Sequence, residues 1–479
     1  MDSSDRSPDP ATDRRPTPFV ADVAIGATAL AARLAVVVWA DGRFAPAADG
    51  LYYHTLAVRL AQGLGSTWAW PDGTITYAAH YPIGYPALLA IAYWLIGFGP
   101  TAGGLLNALL GATAAIAAYR LARQATGSRP PSPVGDFPGS SGTSQSRWAV
   151  AAGLAVAVHP ALVMYTPALM TEGVTAALVA VAAWLGSRRS LASRCGLGAV
   201  LGVATLVRPQ SLLLAPLLGF LSAAKGESWQ KRLASAGIVT ALSVAVCLPW
   251  TARNCVRMHS CALVSFNGGW NLLIGAGPNA TGSWAPVDVP EPCRTVWDEA
   301  EKDACFGREA RRMIRSAPGR WLALVPARLA ATFDYSGAPG YYLHASNAAA
   351  FDDRAKTTLG ALETVYERLA WLGALAVAGL IEGPRRGLRL AVAAVSVALL
   401  FAVHAYLAVL GLLLALALLG GALLEVPFLL TSTFVVILAT ALVHAAFFGA
   451  GRYSMVVFPL VTALAFAAFD TRRCGARYS

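Results

Sequence analysis

Apolar residues in this chain do not alternate with polar ones; they come in runs. Stretches rich in Ala, Leu and Val recur at 19–40, 103–123, 148–165, 172–187, 194–207, 209–223, 234–252, 361–382, 388–404, 405–421, 425–446 and 453–470. A helix needs about 20 such residues to cross the hydrocarbon core of a bilayer. In lipid every backbone polar group must be paired within the protein, so only helices or closed barrels span. Short alternating strands are absent, which sets a barrel aside. The pattern predicts an all-α polytopic membrane protein of about twelve transmembrane helices.

The run 82–99, PIGYPALLAIAYWLIGFG, does not fit as a thirteenth crossing. Were it to cross, the basic loops Arg120/Arg123/Arg129 and Arg188/Arg189/Arg194 would fall outside. If it lies along the interface, or dips in and returns, both loops fall inside, as the positive-inside rule prefers. Its opening Pro-Ile-Gly-Tyr-Pro is also a poor start for a straight helix. The run therefore reads as a juxtamembrane or re-entrant element. Lys225/Lys231/Arg232, Arg385/Arg386/Arg389 and Arg472/Arg473/Arg477 then share the inner side, and both termini are cytoplasmic.

This divides the chain into five parts. Residues 1–18 are rich in Pro, Ser and charge and read as a disordered cytoplasmic tail. They are followed by a late, long apolar run without a cleavage site, unlike a signal peptide. Residues 19–252 form an N-terminal transmembrane catalytic module that includes the first external loop, 41–102. Residues 253–360 are an external segment, 361–470 the C-terminal transmembrane helices and 471–479 a cytoplasmic tail. Within the first module, 125–147 reads as a flexible linker by composition.

Composition agrees. Hydrophobic residues make up 56% of the 479 and charged residues 13%, against roughly 25% charged in soluble domains; mean hydropathy is +0.54. The net charge of +11 sits mostly in short loops beside apolar runs. No basic soluble domain is present to suggest nucleic-acid binding. Four of the seven cysteines, Cys255, Cys261, Cys293 and Cys305, fall in the external segment. That fits disulfides in an oxidising compartment. Three pairings are open, and short-range closure favours Cys255–Cys261 with Cys293–Cys305. No His/Cys spacing suggests zinc.

Chemistry should sit where charge meets the membrane. Asp49, in PAADGLYYHTLA, stands at the outer end of the first span, where a carboxylate is costly unless solvated, paired or employed. It is either an exposed loop acid or a general base. His80, Tyr85 and the prolines of AHYPIGYP either belong to an interfacial aromatic belt or hold a phosphate at the surface. Glu172 either favours the dipole of its helix or is a second acid facing Asp49. Arg208, between two long apolar runs, suits bidentate phosphate recognition or snorkels at a helix end. Arg253, Asn267 and Arg452 lie in Pro-Trp-Thr-Ala-Arg-Asn, Asn-Gly-Gly-Trp-Asn and Gly-Arg-Tyr stretches. Such clusters make sugar contacts or ordinary turns and anchors.

Taken in order, these stretches resemble the GT-C superfamily of membrane glycosyltransferases, in particular the family 39 branch of protein O-mannosyltransferases and aminoarabinose transferases. Asp49 and Tyr53 match the first-loop pattern, with Gly50 in place of its second acid. His80–Pro86, Glu172, Arg208-Pro209, Pro249-Trp250 with Arg253-Asn254, and Arg452-Tyr453 match the rest. The resemblance covers 19–470. It implies juxtamembrane helices in the first loop and a polyprenyl-phosphate sugar donor. It also implies a hexosyl- or pentosyl-transfer to an acceptor hydroxyl on the periplasmic face of a bacterial inner membrane, with inversion. Asp49 and Glu172 would be catalytic. His80, Tyr85, Arg208, Arg253, Asn267, Arg452 and Tyr53 would bind donor phosphate or sugar. The acceptor, whether protein, lipid or glycan, stays open, as does a divalent metal, given Gly50. A transporter or lipid-linked sugar flippase is the rival reading, though no internal repeat or matched pair of broken helices is visible. A non-enzymatic assembly subunit docking through 253–360 is a third.

Overall fold

The computed structural model describes residues 18–127 and 142–469. The two tails and most of the linker lie outside the described residues. The chain folds into helices α1 (Pro18–Ala40), α2 (Asp49–Ala61), α3 (Gly84–Ile96), α4 (Pro100–Gly127), α5 (Gly142–Ala157), α6 (Pro160–Met164) and α7 (Thr171–Ser187). Next come α8 (Leu191–Val207), α9 (Leu214–Leu221), α10 (Trp229–Arg257), α11 (Gly268–Ala276), α12 (Glu299–Ser316), α13 (Pro318–Ala323), α14 (Val325–Phe333) and α15 (Ala338–Ser346). The last are α16 (Asp353–Leu380), α17 (Arg386–Ala402), α18 (Ala405–Ala417), α19 (Phe428–Ala446) and α20 (Phe458–Ala467). Among the described residues the only sheet is an antiparallel hairpin, β1 (Thr67–Ala69) with β2 (Ile75–Tyr77).

Among the described residues four helices are long and apolar enough to cross a membrane: Phe19–Ala40, Pro100–Ala125, Trp229–Arg257 and Phe428–Ala446. The other apolar runs also form helices at the expected places, several shorter than a full crossing. Proline interrupts one run and not another, and the run 82–99 forms the short helix expected of it. The run 148–165 breaks at His159-Pro160 into α5 and α6, because proline lacks an N–H and disfavours helical backbone in the residue before it. In α10, by contrast, the helix continues through Pro249 to Arg257. The run 82–99 gives α3, whose 13 residues reach only about 20 Å, short of the roughly 30 Å hydrocarbon core. It packs on α2 and α4 and leaves Ile91, Trp94, Leu95 and Ile96 exposed.

Small residues let the rods approach. A Cβ on Gly202 would meet Val246 Cβ at 2.5 Å, and one on Gly198 would meet Leu242 Cβ at 2.8 Å. The two glycines are four apart on α8, so α10 lies almost against its backbone, a small-xxx-small seam. Ser243 Oγ donates across it to the Gly198 carbonyl at 2.9 Å.

Three fully buried arginines perform a shared task. Arg33 donates to the carbonyl of Ala157 (2.8 Å), Arg328 to that of Ala445 (2.7 Å), and Arg389 to those of Ala378 (2.7 Å) and Ile381 (2.6 Å). Each set of carbonyls ends a helix: α5, α19 and α16. The last carbonyls of a helix have no partner within it and carry its negative dipole end, so a buried cation there satisfies both needs.

Most of residues 253–360 form a small helical lobe at one end of the rods. The disulfide Cys255–Cys261 closes the turn after α10, and Cys293–Cys305 ties the Glu291–Cys293 turn to α12.

Candidate active site

Asp49 is the first residue of α2, entered through Ala48 at φ 48°. The fold gives it two partners. Tyr81 donates its hydroxyl to Oδ1 at 2.9 Å, and Arg452 Nη2 donates to Oδ2 at 2.9 Å. Arg452 arrives from the Gly451–Val456 turn, far along the chain, and its Nε also reaches Glu172 Oε1 at 3.3 Å. Arg208, at the end of α8, bonds the same Oε1 at 3.0 Å. The result is an alternating row, Asp49–Arg452–Glu172–Arg208, of two carboxylates and two guanidiniums.

Exposure separates their roles. The Asp49 and Arg452 side chains are 24% and 27% exposed, Arg208 is 12% exposed and Glu172 only 1%. The open end of the row is therefore Asp49 with Arg452. Glu172 does not face Asp49 as a second acid; Arg452 stands between them, and Glu172 Oε2 is buried without a partner. Tyr453 backs both arginines, with the Arg208 guanidinium 4.8 Å and that of Arg452 5.4 Å from its ring centre. His444 also stacks on Tyr453, at 4.3 Å. A small slot of ≈ 30 Å³ is lined by Arg208, Gln210, His444, Val179 and Val436, among others.

An aromatic wall closes the other flank. Tyr53 meets Tyr81 edge-on at 5.4 Å and Tyr85 at 5.5 Å. Tyr85 is fully buried and shares hydrogen bonds with Asn107. Burial and the neighbouring Asp49 raise the pKa of Tyr81, keeping its proton in place to donate. His80 packs edge-on to Tyr81 at 4.8 Å and to Trp270 at 5.3 Å. Its Nδ1 lies 3.2 Å from the Phe266 carbonyl, which can only accept, so Nδ1 carries the proton. Burial lowers the His80 pKa, so it stands there as neutral imidazole rather than as a cation for phosphate.

Two predicted residues lie elsewhere. Arg253 donates to the Ser66 carbonyl at 2.7 Å and stacks on Trp250 at 4.7 Å, tying the hairpin to α10. Asn267 precedes α11 and accepts from Ser265 Oγ at 3.0 Å. Neither bonds a member of the row. Among the described residues no three His, Cys, Asp or Glu side chains group as metal ligands would.

The place of the absent second acid is explained by packing. A Cβ on Gly50 would come within 2.7 Å of Tyr342 Oη and 3.3 Å of the Leu169 carbonyl. Tyr342 Oη accepts from the Ala47 amide at 3.1 Å and so fixes the approach to Asp49. Sequence reasoning missed Tyr342, which lies in no motif. It also missed Asn107, which donates to the carbonyls of Thr166 and Ala168 and so holds the bend before Glu172. Asn107 did carry a signal, as an amide inside an apolar run.

No protein-family model matches the chain, and no curated protein matches it. Among solved structures it is similar to ArnT from Cupriavidus metallidurans bound to undecaprenyl phosphate, with 15% identity, a TM-score of 0.41, and 94% of this chain and 77% of that one covered. The apo form of the same protein matches at 14% identity and a TM-score of 0.40. The Archaeoglobus fulgidus oligosaccharyltransferase tethered to an acceptor peptide matches at 13% identity and a TM-score of 0.47, with 95% of this chain covering 49% of that one.

Proposed function

We propose that this chain is an integral-membrane glycosyltransferase. It moves a hexosyl or pentosyl group from a polyprenyl-phosphate donor to an acceptor hydroxyl on the periplasmic face of a bacterial inner membrane, its termini cytoplasmic. The observation that carries the reading is the row itself. Residues singled out in four separate stretches, the outermost 403 positions apart, converge as alternating charges at the outer end of the rods.

The row supports a displacement at the anomeric carbon. Asp49 uses two of its roughly four lone-pair sites for Tyr81 and Arg452, which leaves others for an acceptor hydroxyl. The acceptor oxygen bonds to the anomeric carbon as its proton passes to Asp49. The carbon–oxygen bond to phosphate breaks with its electron pair, and polyprenyl phosphate leaves with one more negative charge. Attack opposite the leaving group inverts the centre. Arg452 and Arg208 are placed to meet the developing charge. Glu172 is a positioning residue that holds both guanidiniums from below. The slot beside Arg208 offers the start of a path for the lipid, and Tyr53, Tyr81 and Tyr85 shape the sugar side. His80 borders this wall, while Arg253 and Asn267 shape the lobe above it.

The test is transfer of labelled sugar from a polyprenyl-phosphate donor by purified protein in nanodiscs. Asp49→Asn should lower kcat by about 10²–10⁴, the usual contribution of a general base, while the protein stays folded. Full transfer by this variant would overturn the base assignment. Movement of intact donor across the bilayer without bond cleavage would favour the flippase.

A further inference from the structure

At the far end of the rods from Asp49 lies a second site. Glu172 begins α7 and Ser187 ends it; His444 lies near the end of α19 and Phe428 begins it. Fifteen or sixteen helical residues place the two levels about 22–24 Å apart. At this level there is a cavity of ≈ 1060 Å³, lined by Asp22, Arg120, Arg123, Arg188, Arg189 and Lys225 over a floor that includes Trp184 and Phe428. Its volume is at the top of the range of about 300–1,000 Å³ usual for ligand pockets.

Five basic side chains and one acid share this wall, and the acid is already used. Asp22 takes Arg120 through both oxygens, at 3.0 and 2.8 Å. Among the described residues Arg188, Arg189 and Lys225 have no carboxylate within ion-pair distance. The Lys225 ammonium is held by the Glu425 backbone carbonyl, a neutral group. Arg188 and Arg120 both stack on Trp184, at 5.2 and 4.6 Å from its ring centre, which fixes two guanidiniums on one aromatic plate. Burial, and then the charge of Arg189, lower the pKa of Lys225 against the pull of the Glu425 carboxylate. Arg188 and Lys225 are exposed and Arg189 is half-buried, so solvent relieves part of their repulsion, and an anion entering the concave wall gains from all three. The start of α19 also faces the cavity, with no side-chain cap, so its dipole adds positive potential.

A general inward bias of basic loops explains positive charge on this side of the protein. It does not explain three cations without a direct ion-pair partner lining one cavity with an aromatic and aliphatic floor, where the carboxylates of Glu425 and of Glu227, itself paired with Arg194, act only from a greater distance. We propose that this cavity binds a phosphate-bearing anion, through Arg188, Arg189 and Lys225, at the end of the protein opposite the transfer site. Arg188 offers the planar fork suited to phosphate, and Lys225 a point charge. The phosphate belongs either to an anionic lipid headgroup, whose chains would follow Leu121 and Phe428, or to a soluble anion.

Two probes separate these sources. Native mass spectrometry of the full-length protein counts retained phosphatidylglycerol against phosphatidylcholine, and calorimetry measures inorganic pyrophosphate. Either phosphatidylglycerol retention or pyrophosphate binding supports the site, the first naming a lipid source and the second a soluble one. The Arg188→Gln/Lys225→Gln variant should bind the active probe at least tenfold more weakly, and affinity should fall as salt rises. The charge-conserving Arg188→Lys/Lys225→Arg variant should bind more tightly than the double glutamine variant, because both charges remain, but less tightly than the unaltered protein, because the fork on Trp184 is lost. Asp49→Asn should bind unchanged, which separates this site from the transfer chemistry. Should the double glutamine variant fail to fold, Lys225→Gln alone is measured, with a loss of threefold or more expected. The proposal is overturned if neither phosphate probe binds above the phosphatidylcholine level, or if the folded glutamine variant binds like the unaltered protein.

Discussion

Glu172→Gln probes the row most directly, because the change keeps shape and removes one charge. Glu172 Oε1 holds Arg208 at 3.0 Å and Arg452 at 3.3 Å. Unit charges about 4 Å apart attract by about 4 kcal/mol at an effective dielectric of 20. Removing one partner of a buried pair costs about 3–5 kcal/mol, because the other charge stays buried and unpaired. Three facts pull the value down: the amide oxygen still accepts hydrogen bonds, Asp49 still neutralises Arg452, and Arg208 keeps 12% of its surface in solvent. A loss of about 3 kcal/mol follows, which lowers the melting midpoint of a chain of 479 residues by roughly 3 °C. Transfer should also fall, through both KM for the donor and kcat, because two guanidiniums lose their common anchor. Asp49→Asn should instead lower kcat with little change in midpoint. A double-mutant cycle sharpens the test. Glu172→Gln and Arg208→Gln together should cost less than the sum of the two, since the second removes a charge that the first leaves unpaired. Additive losses, or a Glu172→Gln protein with unchanged midpoint and unchanged transfer, would refute the charge-bridge role.

Gly50→Ala should destabilise by about 1–3 kcal/mol, the usual range for overpacking, because its Cβ would press on Tyr342 Oη and on the Leu169 carbonyl; Tyr342→Phe in the same protein should recover part of the loss in a thermal melt. Glu299 accepts from the Ala79 amide at 2.7 Å, and burial raises its pKa to about 7. The folded protein thus holds a proton there that the unfolded chain has released. Its contribution to stability is fully present below the ordinary value of 4.5 and is lost as pH rises towards 7, so Glu299→Gln should flatten the fall of the melting midpoint across that window. Replacing Cys293 and Cys305 by Ser opens a loop of separation 12 and should cost the external lobe about 3 kcal/mol, read as earlier exchange of its amides; unchanged protection would contradict it.

What the sequence made legible follows from period and punctuation. Long apolar runs need no partner to announce a helix, so the rods α1, α4, α10 and α19 were readable from length alone. The first-loop element was readable because charge placement elsewhere left it no room to cross. Local punctuation was less reliable. Proline broke the chain at Pro160 but was absorbed at Pro249, and that outcome depends on whether neighbours satisfy the freed carbonyl. Val156 and Ala157 have Arg33 for that purpose, a residue that a hydropathy average over α1 conceals. The same limit applies to the site. Asp49, Glu172, Arg208 and Arg452 are each conspicuous as charges beside hydrocarbon, so their identity was legible one at a time. Their pairing was not, because it depends on how α2, α7, α8 and the Gly451 turn pack, and no local pattern encodes that. The apparent loneliness of Asp49 was a property of its sequence neighbourhood. In the folded protein its charge is balanced by an arginine 403 residues away, and the paired carboxylate keeps 24% of its surface open to a substrate. Packing thus resolves the cost of placing an acid at the membrane lip without burying the one oxygen surface a base requires.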